Sequence, residues 1–332
     1  MRILVTGGTG YIGSHACVEL LQANHDVVIV DNLSNSSKSV IQYIACIAGR
    51  TPVFYEMDVR NVDGLRIIMR EPVDVVMHFA GVKSVAESVA NPAKYYSNNV
   101  DGTRKLLTAM SHCGVKRLVF SSSATVYGDT HSPINEQSPM QPLNPYGKSK
   151  RIVEEILQHE SIMDTEFRAT ALRYFNPVGA HPSGLIGESP QGIPANLMPY
   201  LCQVAAGKLK QLSVFGVDYP TPDGTAIRDY IHVMDIARGH VRALEFLQHT
   251  PGLNAINLGT GNGVSVLEML RAFERVNELS IPYNVVARRP GDAAITYANP
   301  ELAATLFNWR ATHSLDVMCR DAWNWQSNQS SV

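Results

Sequence analysis

No pair of cysteines in this chain has the spacing of a redox centre or a metal site. The five, at positions 17, 46, 113, 202 and 319, form no CxxC pair and read as buried or incidental thiols of a reducing compartment. No metal is expected. No apolar run approaches the ~20 residues of a membrane span. The N-terminus opens on a strand rather than a signal peptide, so the cytoplasm is the expected compartment and no membrane partner is expected. Charge is sparse too: charged residues make up 17% of the 332, the net charge is -2, and basic residues occur singly. That excludes the basic stripe of a nucleic-acid binder. There is no internal repeat, low-complexity tract or obvious linker. With 45% hydrophobic residues, the chain can bury a core for one large or two smaller domains.

What is present is an alternation. Apolar runs at 3–6, 26–31, 53–57, 73–80, 117–122 and 169–175 read as strands, with helices near 12–23, 61–70, 94–112 and 146–160. This rhythm predicts an α/β fold, a Rossmann-type doubly wound parallel sheet, whose ligand crevice lies outside the carboxyl ends of the strands. After Phe175 the texture changes: residues 176–227 are rich in Pro and Gly, with a helical segment at 196–207. The expectation is a dinucleotide-binding domain over 1–175, with 228–258 returning to it and a strand at 229–233. Residues 176–227 and 259–332 mainly form a smaller, discontinuous C-terminal substrate lobe, ending in a frayed tail from Ser327.

Glycines 7, 10 and 13 follow the first strand. The early ones let the backbone turn tightly and approach a pyrophosphate, the last lets helix pack on strand, and the helix start aims N–H groups at phosphate. Asp31 ends the next strand, where a carboxylate binds adenosine ribose hydroxyls and repels a 2'-phosphate; NAD is favoured over NADP. Asp58 has two readings, an acceptor for the adenine amino group or the N-cap of the helix from Asn61. Phe79-Ala80-Gly81 offers small residues beside a cofactor. Lys83 reads either as a nicotinamide-ribose ligand or as a solvated loop lysine. Farther on, Tyr146 and Lys150 stand four residues apart at a helix start, hence on one face. An ammonium beside a phenol favours the phenolate, which would make Tyr146 a general base below its free value near ~10. Three hydroxyls at 121–123 end the fifth strand, as turn chemistry or as partners for a substrate hydroxyl. His78 and His232 lie in apolar runs and read as structural.

The set Ser123, Tyr146, Lys150 resembles the catalytic group of the extended short-chain dehydrogenases/reductases. Within that family the chain is most similar to the UDP-glucose (UDP-galactose) 4-epimerases. The resemblance is carried by Val5-Thr-Gly-Gly-Thr-Gly-Tyr-Ile-Gly-Ser-His15, His78-Phe-Ala-Gly81, Asn98-Asn-Val-Asp-Gly-Thr103, Tyr174-Phe-Asn-Pro-Val-Gly-Ala-His-Pro-Ser-Gly184, Asn196-Leu-Met-Pro-Tyr200, Arg228-Asp-Tyr-Ile-His-Val233 and Ala287-Arg-Arg-Pro-Gly-Asp292. It spans essentially the whole chain.

The resemblance implies epimerisation at C4 by temporary oxidation, with retained NAD. Tyr146 takes the 4-hydroxyl proton, Ser123 hydrogen-bonds the 4-oxygen, and Lys150 supports the phenolate and grips the nicotinamide ribose. It also implies further cofactor contacts. Tyr11 and Ile12 lie in the glycine loop, Asn32, Leu33, Asn35 and Ser36 beyond Asp31, and Val59 beside Asp58. Asn98, Ser121, Tyr174 and Phe175 complete them. For the UDP-hexose, Arg228 and Arg289 clamp the diphosphate, and Asn196 and Leu197 meet diphosphate and uridine. Phe215 stacks near uracil, Asp292 holds the uridine ribose, and Phe175, Asn176 and Lys83 flank the sugar. The helices near 94–112 and 146–160 imply a homodimer.

Two departures from relatives matter. Ala124 and Thr125 stand where nucleotide-sugar dehydratases carry acids, which argues against dehydration. Thr296 stands where many bacterial epimerases place a tyrosine against the sugar 2-position, which leaves room for the N-acetyl group of UDP-GlcNAc and UDP-GalNAc unless Tyr297 fills it. The rivals are a net oxidoreductase or dehydratase of the same fold, and a silent NAD-binding regulator. The regulator would typically lack the tyrosine or lysine.

Overall fold

The computed structural model describes residues 1–190, 192–289 and 292–329. Six strands arise in order: β1 (Arg2–Thr6), β2 (Asp26–Asp31), β3 (Val53–Glu56), β4 (Val75–His78), β5 (Arg117–Ser123) and β6 (Arg168–Tyr174). With the Gly252–Leu258 strand they form one seven-stranded sheet, ordered Gly252–Leu258, β6, β5, β4, β1, β2, β3. Every pairing in it is parallel. Parallel strands covered on both faces are apolar throughout, and alternate residues enter opposite layers. Ile3, Val5, Ile29 and Met77 join the layer packed by Leu20 of the Tyr11–Gln22 helix and Leu244 of the Val233–His249 helix. Leu4, Val28, Val76 and Phe120 join the layer packed by Leu106 and by Val153 and Leu157 of the Pro145–Met163 helix. The strand order reverses between β1 and β4, which is where such sheets open their ligand crevice.

The remainder builds a smaller lobe. Leu212–Phe215 pairs with Tyr283–Val286, and Ile227–Arg228 lies between Val264–Ser265 and Ile295–Thr296. Met198, Leu201, Met269, Phe273 and Cys319 form its core. Three differences from the expected elements have local causes. The expected strand at 229–233 is Tyr230–His232, paired with Asn176–Val178 outside the main sheet, and the Val233–His249 helix begins at once. Its cap is the His232 ring, which accepts from Met234 N at 3.1 Å, and histidine is not among the residues that announce a helix start. The helix expected at 94–112 starts at Pro92 and passes through a π-helical turn, Tyr96–Asp101, before Gly102–His112. The expected tail is helical through Gln329, because the Leu315–Gln329 helix buries Met318, Cys319 and Ala322; positions 330–332 lie outside the described residues. Among the described residues, no helix is long and apolar enough to cross a membrane.

Candidate active site

The glycine loop is held by backbone contact. Gly7 has φ 71°, and a Cβ there would sit 2.5 Å from Ala80 N, so the ends of β1 and β4 touch through it. A Cβ on Gly13 would sit 2.2 Å from Gly7 O, which sets the Tyr11–Gln22 helix directly on the loop. Gly10 is that helix's N-cap, with no side-chain cap and no acid in the first turn, as an anion requires. Ile12 packs against the first core layer.

Asp31 accepts from Thr9 N at 3.1 Å and from Leu33 N at 2.9 Å, folding the next loop against the glycines. Leu33 takes φ 56° to make the turn, and Ser36 Oγ meets Thr9 Oγ1 at 2.6 Å. Asn35 is exposed. Asn32 donates to Asp58 at 3.1 Å. The capping reading of Asp58 is corrected: Asn61 caps the Val62–Ile68 helix, its side chain accepting from Gly64 N. Asp58 is instead gripped by Arg60 through three bonds of 2.8 Å, two from the guanidinium and one from the backbone N–H, which hold its carboxyl down at about 2. Beside it, Val59 packs near Gly102.

At the end of β4, Phe79 stacks obliquely on His240 at 4.6 Å. A Cβ on Gly81 would meet Asn99 Oδ1 at 2.9 Å, with Lys150 Nζ at 3.9 Å. Asn99, which the sequence reading did not single out, accepts from Val82 N at 2.9 Å and donates to Ser149 Oγ at 2.9 Å. Its neighbour Asn98 turns back to Lys94 O at 2.9 Å. Lys83 is exposed but ion-paired: it bonds Glu188 at 2.5 Å and lies 5.5 Å over the Tyr11 ring. Glu188 also accepts from Asn196 at 3.2 Å, so Lys83 and Asn196 meet at one carboxylate. Tyr11 OH donates to Gly179 O at 2.7 Å, and burial pushes its phenol up.

Ser123, Tyr146 and Lys150 come together where β5 ends against the Pro145–Met163 helix. Asn144 starts that helix, accepting from Gly147 N, with Pro145 in the first turn. Lys150 is buried; its Nζ donates to Ser121 O at 2.6 Å and lies 5.9 Å from the Tyr146 ring centroid. Tyr146 meets Tyr95 edge-on at 6.3 Å. Thr125, whose hydroxyl had no expected role beyond lacking a carboxylate, donates to Ser123 Oγ at 2.9 Å. Electrostatics correct one expectation. The Tyr146 phenol is raised by burial, against the hydrogen bond of Ser123, so the lysine alone does not depress it. Burial lowers the Lys150 ammonium to about 8, with Glu154 opposing. The ammonium is therefore lost as pH rises through about 8, and kcat should fall along that limb. A kcat profile flat to about pH 10 would dissociate Lys150 from the reaction.

Both histidines are structural, as expected. His78 is held by Thr6 at 2.6 Å and Thr103 at 2.9 Å, and burial lowers it to about 3. His232 caps its helix and meets Asp321 at 3.2 Å. At the end of β6, Tyr174 OH bonds His240 at 2.6 Å, and Phe175 just beyond is buried. Asn176 N donates to Asp229 O at 2.9 Å.

Two clusters lie on the lobe. Arg289 stacks 3.9 Å over the Phe215 ring and donates to Ala195 O, beside Asn196 and the Leu197–Ala205 helix. Arg228 pairs with the Asp292 carboxylate and donates to Ala293 O at 2.7 Å. Thr296 is in register with Arg228, hence on its face. Tyr297 points the other way: a Cβ on Gly263 would lie 2.5 Å from Ile227 and 3.4 Å from the Tyr297 ring.

This geometry has known counterparts. A family model described as the NAD dependent epimerase/dehydratase family matches residues 3–259. The chain is 54% identical over 330 residues to the UDP-glucose 4-epimerase of Bacillus subtilis, covering 99% of this chain and 97% of that one. Its fold superposes with a TM-score of 0.98 on a UDP-glucose-4-epimerase from Stenotrophomonas maltophila with bound NAD and formylated UDP-arabinopyranose, at 50% identity over 100% and 99% of the two chains. The corresponding enzyme from Bifidobacterium longum, in complex with NAD+ and UDP, gives 0.95 at 46% identity over 99% and 98%. The chain belongs to the NAD-dependent epimerase/dehydratase family. It is an enzyme, an isomerase of the UDP-glucose 4-epimerase type, with NAD as cofactor.

Proposed function

We propose that the chain interconverts UDP-glucose and UDP-galactose through a 4-keto sugar. The observation that carries this reading is the meeting of Ser123, Tyr146 and Lys150 beside the glycine cradle. Gly7, Gly10, Gly13 and Asp31 would hold the dinucleotide, with Asn32, Leu33, Asn35, Ser36, Asp58 and Val59 along its adenosine end. Tyr11, Phe79, Ala80, Gly81, Lys83, Asn98, Ser121 and Tyr174 would line the rest. Bound NAD supplies a hydride acceptor and donor at the sugar C4. Tyr146 removes the 4-hydroxyl proton on oxidation and returns it on reduction, while Ser123 positions the 4-oxygen. The Lys150 ammonium stabilises the phenolate. Arg228 and Arg289 hold the diphosphate by charge-assisted hydrogen bonds, Asn196, Leu197, Phe215 and Asp292 hold the uridine, and the sugar is left free to turn between Phe175 and Asn176. We further assign 1–175 with 228–258 to the cofactor domain and the rest mainly to the substrate lobe, in a cytoplasmic homodimer. Light scattering on the purified protein checks the dimer.

The test is incubation of purified protein with UDP-galactose, without added NAD, followed by NMR. Appearance of UDP-glucose supports the reading. Silence with and without added NAD favours a regulator, and a deoxy-keto product a dehydratase.

The pocket reading extends to N-acetylhexosamines. It is supported by the short Thr296 side chain on the Arg228 face, with the Tyr297 ring directed away. Thr296→Tyr should lower kcat/KM for UDP-N-acetylgalactosamine about 10²-fold while sparing UDP-galactose. Equal effects on both substrates would remove the steric argument.

A further inference from the structure

Beneath the reacting residues lies a buried carboxylate that the chemistry above does not use. Glu154 sits on the Pro145–Met163 helix one turn beyond Lys150 and two beyond Tyr146, on the same buried face. It is 3% exposed. Its Oε1 accepts from Ser122 Oγ at 2.5 Å and from Arg173 Nε at 3.0 Å, and its Oε2 from Arg173 at 2.5 Å. Arg173 also donates to Tyr127 OH at 2.7 Å, which donates to Asn257 Oδ1 at 2.7 Å. The network thus ties the helix through β5 and β6 to the Gly252–Leu258 strand. Apolar residues often replace a buried ion pair without loss of stability, so this one invites another role.

The three serines ending β5 indicate what that role is. Ser121 O holds Lys150 Nζ, Ser122 Oγ holds Glu154, and Ser123 acts on the Tyr146 phenol, drawing it down against burial. Three consecutive residues thus face three residues of one helix face, two of them through hydrogen bonds, and only the Ser122–Glu154 tie lies outside the proposed reacting group. We propose that Glu154 is a positioning residue: anchored by Ser122 and Arg173, it sets the rotation of the helix so that Tyr146 and Lys150 face Ser123. It also places a negative charge one turn from the Lys150 ammonium. The proposal rests on the roles assigned above to Tyr146 and Lys150.

The electrostatics agree, since Glu154 is the group opposing the loss of the Lys150 charge by burial. Around them stand Tyr146 on the same helix, Tyr95 against it, His78 on β4, and Arg173 and Tyr174 on β6. The tyrosines and His78 are neutral near pH 7, and Arg173 is paired with Glu154 itself.

Glu154→Gln keeps the shape and removes the charge. Its kcat should fall about 10²-fold, with KM for UDP-galactose and bound NAD nearly unchanged, and its alkaline limb should move to lower pH. Because glutamine leaves Arg173 without a counter-charge, the control is Glu154→Met with Arg173→Leu, which removes both members of that ion pair together. That double variant should melt near the wild type and still lose kcat. Wild-type kcat in the folded double variant overturns the proposal, as does a loss shared equally by KM and NAD retention. NMR titration of the Lys150 ammonium gives a readout independent of substrate: its midpoint should drop in Glu154→Gln, and an unchanged midpoint overturns the proposal. If the wild type turns over no UDP-hexose, the functional reading fails, and the titration still decides the role of Glu154.

Discussion

Tyr146→Phe is expected to lower kcat by about 10²–10⁴-fold while leaving KM and bound NAD nearly unchanged. Ser123 draws the phenol down against burial, and the phenol ring meets Tyr95 edge-on at 6.3 Å. Phenylalanine keeps that ring contact, and Ser123 keeps its 2.9 Å bond from Thr125. What disappears is the group proposed to accept and return the proton of the 4-hydroxyl. Steady-state kinetics with UDP-galactose and the NAD content of the purified variant measure the two halves of the expectation. Retention of more than about a tenth of the activity would move the base elsewhere, since positioned acid–base groups contribute more than that.

Gly7→Ala should act on the fold and the cofactor together. The position has φ 71°, a conformation that costs a side-chain residue about 1–2 kcal/mol. The added Cβ would lie 2.5 Å from Ala80 N, a backbone atom with no rotamer to escape into. Overpacking of that kind costs about 1–3 kcal/mol. The sum, about 2–5 kcal/mol, is a large part of the ~5–15 kcal/mol that holds a domain folded. Relief by shifting the chain at 79–81 would spoil the loop that would line the cofactor. Calorimetry and acid release of the cofactor should therefore show a lower Tm and little NAD. A variant with wild-type values for both would mean that β1 and β4 need not touch.

Features governed by steric or local rules were legible in the sequence. The glycine spacing encodes close approach, and the structure returns it as would-be contacts of 2.5 Å at Gly7 and 2.2 Å at Gly13. Tyr146 and Lys150 share a helix face because their spacing is one turn, and Asn144 and Pro145 mark where the turn begins. Continuous apolar strands announced a sheet covered on both sides. Features that depend on distant partners were not legible. Glu154 is one acid among many until Ser122 and Arg173 close on it, and Glu188 until Lys83 and Asn196 do. The Val233–His249 helix was missed because its cap is a histidine ring. The direction of the Tyr146 shift follows from burial, which the spacing of a tyrosine and a lysine does not encode.

The central claim is that C4 loses its hydrogen as hydride and receives the same one back. UDP-galactose carrying deuterium at C4, incubated in ordinary water with purified protein, tests it in one NMR or mass measurement. The account predicts UDP-glucose with the deuterium still at C4. Product that has exchanged its C4 deuterium for solvent hydrogen would contradict it.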